Sequence, residues 1–355
     1  MRYAGGSASH PASSATPRDC RSDTSFPLGG RRFSNQRSRS AAASNGPEGE
    51  EVTTTTTRPG ALVTGAGRGL GRAIAGLLAD RGYLVMVTDL SGEAATAAAA
   101  ELGRGALGAE VDVRDRSQVE RARDELIAAA GSLQVWVNNA GVLVTGPAWE
   151  QSEEQHKLHL DVNTLGTING TVAAIDVMRG ARTGSAAGSG PGAGGSSAAG
   201  SPPATGPGGH IINIASLAGL SAVPGEAVYA ASKHAVLGFS GSTLSDLRLA
   251  GVRNIDISCV CPDGIWTPML YDKLEDPGAA MSFSGVLLRP EDVVRAVGKV
   301  LDAPRPVVTL PAWRGALARV GAAFPRFGTA ALPLLAAQGR RVQKKLLRTN
   351  GPARR

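Results

Sequence analysis

Aromatic residues make up only 4% of this 355-residue chain, and cysteines number three. With so few rings, the core must be assembled from Val, Ile, Leu and Ala. Cys20, Cys259 and Cys261 form neither a disulfide framework nor a metal-ligand pattern. Cys259 and Cys261 alternate within an apolar run, as buried strand thiols do, and a reduced, cytoplasmic setting fits. His156, His159 and His234 have no metal spacing with acids or thiols and read as surface or pocket-edge residues; no metal site is expected. No apolar h-region opens the chain, so a secretory signal is not expected. Acidic residues are absent from 305–355, which holds eleven Lys or Arg. Residues 1–57 carry seven Arg against five acids, so the overall charge of +7 leaves −6 on residues 58–304. The basicity belongs to a tail, which argues against a nucleic-acid partner for the main body.

Residues 1–57 are rich in Ser, Ala, Gly, Arg and Thr, lack apolar periodicity and read as a disordered extension. Their Arg/Ser-rich, acid-poor start imitates an organellar transit peptide. However, Arg outnumbers Lys and Ala and Gly dominate, which suggests a GC-rich bacterial genome and a start codon placed too far upstream. Mapping the native N-terminus decides between the two.

From residue 58 the pattern becomes short apolar runs alternating with amphipathic stretches. Runs at 61–64, 83–88, 106–111, 133–138, 210–215, 255–260 and 306–310 read as strands, most of them apolar on both faces as buried parallel strands must be. Helical patterns occupy segments such as 69–81, 115–130, 157–179, 226–250 and 290–302. Strand alternating with helix predicts an α/β fold, a single doubly wound Rossmann-type domain over 58–311 with a seven-stranded parallel sheet. The Gly/Ser/Pro-rich stretch 179–209 separates a helix from a strand that a few residues normally join, and reads as a flexible, tolerated insertion.

The first strand–helix unit carries Gly65, Gly69 and Gly71 where backbone N–H groups meet a dinucleotide pyrophosphate. Asp89 ends the second strand, eighteen residues after Gly71, at the place of an acid that bonds the adenosine ribose. A carboxylate there repels a 2′-phosphate, so NAD(H) is favoured over NADP(H). Arg68, inside the turn, pulls the other way, and Leu90 supplies no second base.

The spacing TGxxxGxG at 64–71, Asp112–Val113, "NNAG" at 138–141, Ser216, and YxxxK at Tyr229–Lys233 together resemble the short-chain dehydrogenase/reductase family over about 58–310. That resemblance implies cofactor contacts from Gly65, Arg68, Gly69, Leu70, Gly71, Asp89, Asp112, Val113, Asn139, Tyr229, Lys233, Ile265 and Thr267. It also implies a catalytic set of Asn163, Ser216, Tyr229 and Lys233, with Asn163 holding a water on a proton path to the lysine. Taken singly, Ser216 reads as a turn cap, Asn163 as a helix-backbone partner and "NNAG" as a strand-end turn. Asp263 stands where the family has glycine, in "CPDGIWTPM", which puts that loop's conformation in question.

Hydride transfer at a carbon bearing oxygen needs a proton moved at that oxygen. Lowering a tyrosine from about 10 to about 7 needs about 4 kcal/mol, available from Lys233 one turn on and a positive nicotinamide. The cleft cover, 142–149, 217–225 and 268–288, has no basic cluster for an anionic substrate. A hydrophobic secondary alcohol or ketone, steroid-, retinoid- or lipid-like, is expected. The competing readings are an NADPH-dependent ketoreductase of lipid or polyketide synthesis and a non-catalytic, membrane-associated dinucleotide sensor. A homo-oligomer is implied by the resemblance. Residues 312–355 form a basic amphipathic tail whose apolar stretches, interrupted by Pro325 and Pro333, are too short to span a bilayer. Peripheral contact with anionic lipid competes there with a helix packed on the domain and with a nucleic-acid tail lacking stacking aromatics.

Overall fold

Each of the seven apolar runs becomes a strand in the computed structural model, which describes residues 58–180 and 206–350. The extension 1–57 and most of the 179–209 insertion lie outside the described residues. The strands are β1 (Gly60–Thr64), β2 (Leu84–Asp89), β3 (Leu107–Glu110), β4 (Leu133–Asn138), β5 (Gly209–Ile214), β6 (Ile255–Pro262) and β7 (Val307–Leu310). They form one all-parallel sheet in the order β3-β2-β1-β4-β5-β6-β7. The order reverses between β1 and β4, and the carboxyl ends of those strands open the crevice where doubly wound sheets bind ligands.

The period of two along the strands divides the core in half. Ala61, Val63, Val85, Val87, Val135 and Val137 face one cluster, completed by Ile74 and Leu78 of α1 (Gly69–Asp80). Leu62, Met86, Trp136 and Ile211 face the other, with Leu126 of α3 (Arg116–Ala130). Helix α2 (Gly92–Leu102) was not among the expected segments: its buried face is only Ala95, Ala98 and Ala99, which supplies no stripe of large apolar residues. Ser91 caps it by accepting from the Ala94 N–H.

The expected 157–179 helix is three pieces. Helix α4 (Glu153–His159) begins earlier, at a Ser152/Gln155 capping box. A π-helical turn, Leu160–Leu165, follows and leads into α5 (Gly166–Met178). At the insertion, Gly208 N–H donates to the Met178 carbonyl (3.2 Å) and Asn254 Nδ2 to that of Gly206 (2.9 Å). The chain thus leaves and re-enters at one corner. Helix α6 (Ala227–Leu249) precedes β6, the short α7 (Pro268–Tyr271) and a 3₁₀ segment at Pro277–Phe283 cover the crevice, and α8 (Pro290–Asp302) precedes β7.

The tail forms α9 (Ala312–Ala323) and α10 (Pro325–Asn350). Val342, Leu346 and Leu347 of α10 pack against Leu270, Leu274 and Phe283 of the cover. Gln343 Nε2 donates to the Asp276 carbonyl (2.8 Å). Arg340, Arg341, Lys344 and Lys345 stay exposed, which matches the reading of a packed helix with a solvated basic face. No described helix is long and apolar enough to cross a membrane.

Candidate active site

One cavity of about 1100 Å³ runs from the glycine turn, past the carboxyl ends of β1, β4 and β5, to the tail helices. Gly65, Arg68, Gly69, Leu70, Asp89, Asp112, Val113, Asn139, Ser216, Tyr229, Lys233, Ile265 and Thr267 all line it; Gly71 and Asn163 stand behind its wall.

The glycine turn is built by backbone geometry. Gly65 and Gly69 have φ of +60° and +61°, the left-handed region that side chains disfavour. A Cβ on Gly71 would lie 2.4 Å from the Gly65 carbonyl oxygen. Asn139 Nδ2 donates to the carbonyls of Thr64 (3.0 Å) and Gly65 (2.9 Å), tying β4 to the turn. Asp89 Oδ2 accepts from Gly67 N–H (3.0 Å) and Oδ1 from Ser91 N–H (3.2 Å), which fixes the carboxylate at the strand end. Asp112 is paired with Arg114 (2.6 Å), whose hydrogen bond holds the carboxyl below its usual range.

Tyr229 and Lys233 share one face of α6. Lys233, 5% exposed, places Nζ 5.8 Å from the Tyr229 ring centroid and donates to the Ile214 carbonyl (3.0 Å). Ser216 Oγ is hydrogen-bonded to the Tyr229 hydroxyl and accepts from Ala218 N–H (3.1 Å). The expected lowering of the tyrosine is not what the protein's own groups produce. Burial pushes the phenol above its ordinary value, the Glu226 charge adds to this, and the Ser216 bond only partly opposes it. Burial also lowers Lys233 to about 8. Desolvation outweighs a cation whose nitrogen is turned toward a backbone carbonyl.

Asn163 lies in the π-helical turn and is fully buried. Its Oδ1 accepts from Val142 N–H (2.8 Å), and its Nδ2 donates to the Val142 carbonyl (3.1 Å) and Ser232 Oγ (3.0 Å). Both amide hydrogens are thereby engaged, and the side chain pins the chain after β4 to α6.

Of the two expected positions for His159, surface or pocket edge, the surface one does not hold. His159 is fully buried and meets the Tyr229 ring edge-on, centroids 6.2 Å apart. Its Nε2 accepts from Val144 N–H (2.9 Å) and Nδ1 faces the Gln155 carbonyl (2.9 Å), an assignment that requires the neutral Nδ1–H tautomer. Burial lowers its pKa accordingly.

Asp263, the departure from the family's glycine, has a partner in the tail. Its Oδ2 accepts from Arg314 Nε (2.9 Å), with both side chains largely buried. Tail residues Leu317, Val320, Phe324 and Leu332 line the cavity's distal end, beyond the 142–149, 217–225 and 268–288 segments expected to set specificity. Sequence reasoning also passed over Glu226, buried on the cavity wall, although its place one turn before Tyr229 was a usable signal. No group of three or more His, Cys, Asp or Glu able to hold a metal occurs among the described residues.

A family profile described as short chain dehydrogenase matches residues 60–201 and 196–278. The chain is 31% identical to a 3-oxoacyl-(acyl-carrier-protein) reductase of Chlamydia trachomatis, over 66% of this chain and 87% of that protein. It is 33% identical to 15-hydroxyprostaglandin dehydrogenase (NAD+) of Mus musculus, over 64% and 79%. It is 34% identical to 1-deoxy-11-beta-hydroxypentalenate dehydrogenase of Streptomyces exfoliatus, over 69% and 80%. Among solved structures, a short-chain dehydrogenase/reductase from Burkholderia phymatum in complex with NAD is similar, with a TM-score of 0.63 and 25% identity, covering 76% of this chain and 95% of that one.

Proposed function

Because this chain belongs to the short-chain dehydrogenase/reductase family, we propose that it is an NAD-dependent oxidoreductase that interconverts a hydrophobic secondary alcohol and its ketone, with Tyr229 as the acid–base group. The carrying observation is that Tyr229, Ser216 and Lys233 line the same cavity as the glycine turn and Asp89. The cavity fits a dinucleotide: Gly65 and Gly69 take backbone conformations that side chains disfavour, and Asp89 faces in at the end of β2. Gly65, Arg68, Gly69, Leu70, Asp89, Asp112, Val113, Asn139, Ile265 and Thr267 would hold the cofactor, with Gly71 packing the turn. When bound, nicotinamide supplies or takes the hydride. Ser216 orients the substrate oxygen, Tyr229 gives or takes the proton there, and Lys233 contributes positive charge beside the phenol. Asn163 holds Val142 and α6 in register so that these groups converge.

Asp89 supports the preference for NAD(H), since a carboxylate at that strand end opposes a 2′-phosphate. The NADPH-dependent ketoreductase reading draws its support from Arg68, which lines the cavity and forms no ion pair among the described residues. The distal wall of Leu317, Val320, Phe324 and Leu332 supports a long apolar substrate. On its outer side the tail exposes Trp313 and Leu334 amid basic residues without acids, which supports peripheral contact with anionic lipid. Domain 58–311 then works together with residues 312–350 in one substrate site. Self-association of the whole chain is part of the same reading, and light scattering of the purified protein tests it.

The deciding measurement is turnover of apolar secondary alcohols and ketones with NAD(H) and NADP(H). Wild type is expected to prefer NAD(H), and Tyr229→Phe to lose about 10²–10⁴-fold in kcat. Undiminished turnover by Tyr229→Phe sinks the catalytic assignment.

A further inference from the structure

Glu226 immediately precedes α6 and is 2% exposed, yet it lines the cavity one turn before Tyr229. Its Oε1 accepts from Ser282 Oγ of the 3₁₀ cover, and the Ser282 backbone N–H also bonds the carboxyl. It makes no ion pair among the described residues, and the carboxylates near enough to act on it are Asp263 and Asp276. A buried carboxylate without a cation is costly and calls for hydrogen-bond donors to all its lone pairs.

A purely structural role explains part of this. The backbone here is clamped, since Gly146 N–H donates to the Gly225 carbonyl (2.8 Å) and a Cβ on Gly225 would lie 2.2 Å from the Gly278 oxygen. Glu226 and Ser282 latch the cover to α6. A latch needs only one neutral acceptor, however, and a glutamine would serve at lower desolvation cost. A carboxylate has four lone pairs, so acceptor capacity remains on Glu226, and the residue lines the cavity that also holds Tyr229.

We propose that Glu226, with Ser282, forms a second polar subsite that accepts a hydrogen bond from a hydroxyl a few bonds from the reacting carbon, so that the substrate is a hydroxylated apolar alcohol or hydroxyketone. This rests on the oxidoreductase reading above. A hydroxyl donor suits the mainly apolar cavity, into which an ammonium would carry a second desolvated charge. The other groups acting on Glu226 are Tyr229 of α6, Asp263 after β6 and held by Arg314 of α9, and Asp276 and Ser282 of the cover. Burial pushes the Glu226 carboxyl up to about 7, with Ser282 opposing and the two aspartates adding to the rise. Its acceptor form therefore grows as pH rises through neutrality, whereas Tyr229 and Lys233 act on every substrate alike.

The test uses the full chain with 2-decanol and with decanediols carrying a second hydroxyl at C3, C4 or C5, from pH 6 to 8. Wild type should favour the best diol by about 10- to 100-fold in kcat/KM, the range for a hydrogen bond to a charged group. The preference should reside in KM and strengthen as pH rises. Glu226→Ala should bring the ratio close to one. Glu226→Gln, which keeps an acceptor for Ser282, should lower the ratio and make it independent of pH. Should Glu226→Ala not fold, the glutamine variant alone decides. An unselective wild type, or variants that slow both substrates equally with the ratio intact, would overturn the proposal and leave only the latch. Failure of wild type to oxidise any of these alcohols with either cofactor removes the oxidoreductase reading, and this subsite with it.

Discussion

Tyr229 sits in surroundings that hold its proton. Burial and the Glu226 charge raise the phenol, while burial brings Lys233 down to about 8, so at neutral pH the pair is phenol beside ammonium. That state can donate a proton to a ketone oxygen without prior ionisation, whereas alcohol oxidation first needs the phenol's proton to leave. The sign follows for each direction. Reduction should hold from pH 6 to about 8 and decline above, as Lys233 loses the charge that favours the nascent phenolate. Oxidation should climb over the same range. Initial rates in both directions from pH 6 to 9.5 check this, and oxidation faster at pH 6 than at pH 9 contradicts it. His159 shows the same desolvation logic at a residue without exchangeable charge to offer: its two ring nitrogens are committed to Val144 and Gln155, so it serves as a rigid neutral wall beside the tyrosine.

At the scale of elements, the loop after β6 and the first tail helix are joined by one largely buried ion pair, Asp263–Arg314. Asp263 also accepts from Gly264 and Val286 backbone N–H groups, so part of its charge is met locally. Arg314→Ala should cost about 2–4 kcal/mol by leaving a buried carboxylate without its cation. Thermal unfolding should register this as a clear fall in Tm. Adding Asp263→Gly, which restores the family's usual residue, should recover much of the loss, because it removes the stranded charge. An Arg314→Ala protein with wild-type Tm would show that the pair contributes nothing. Elements were legible in proportion to their large apolar residues. The seven strands announced themselves, and α1, α3, α6 and α8 did so within a residue or two. Helix α2 did not, since alanines pack it, and α4 was readable only through its Ser152/Gln155 capping box.

The whole molecule carries its charge unevenly, and the described tail places that charge on helices that also line the cavity. Residues 312–350 hold eight Lys or Arg and no acid, with Trp313 60% and Leu334 77% exposed. Vesicles rich in anionic phospholipid should sediment the full-length protein, and neutral vesicles should do so weakly. Replacing Arg340, Arg341 and Lys344 together with Ala should weaken binding by about 100-fold at low salt, near 1 kcal/mol per charge. Equal sedimentation of wild type and triple variant would remove the lipid contact. The sequence by itself determined the parallel sheet, the glycine turn and the Tyr229/Lys233 register, because each is a local pattern: a period of two, a strand–turn–helix spacing, a pair four residues apart on one helix. Tertiary structure alone decided that Arg314 answers Asp263 across 51 residues, that Ser282 reaches Glu226 across 56, and that the tail closes the far end of the cavity. Those contacts join residues with no shared periodicity. Only the folded backbone, by bringing distant segments within hydrogen-bond reach and stripping water from between them, gives them their energies.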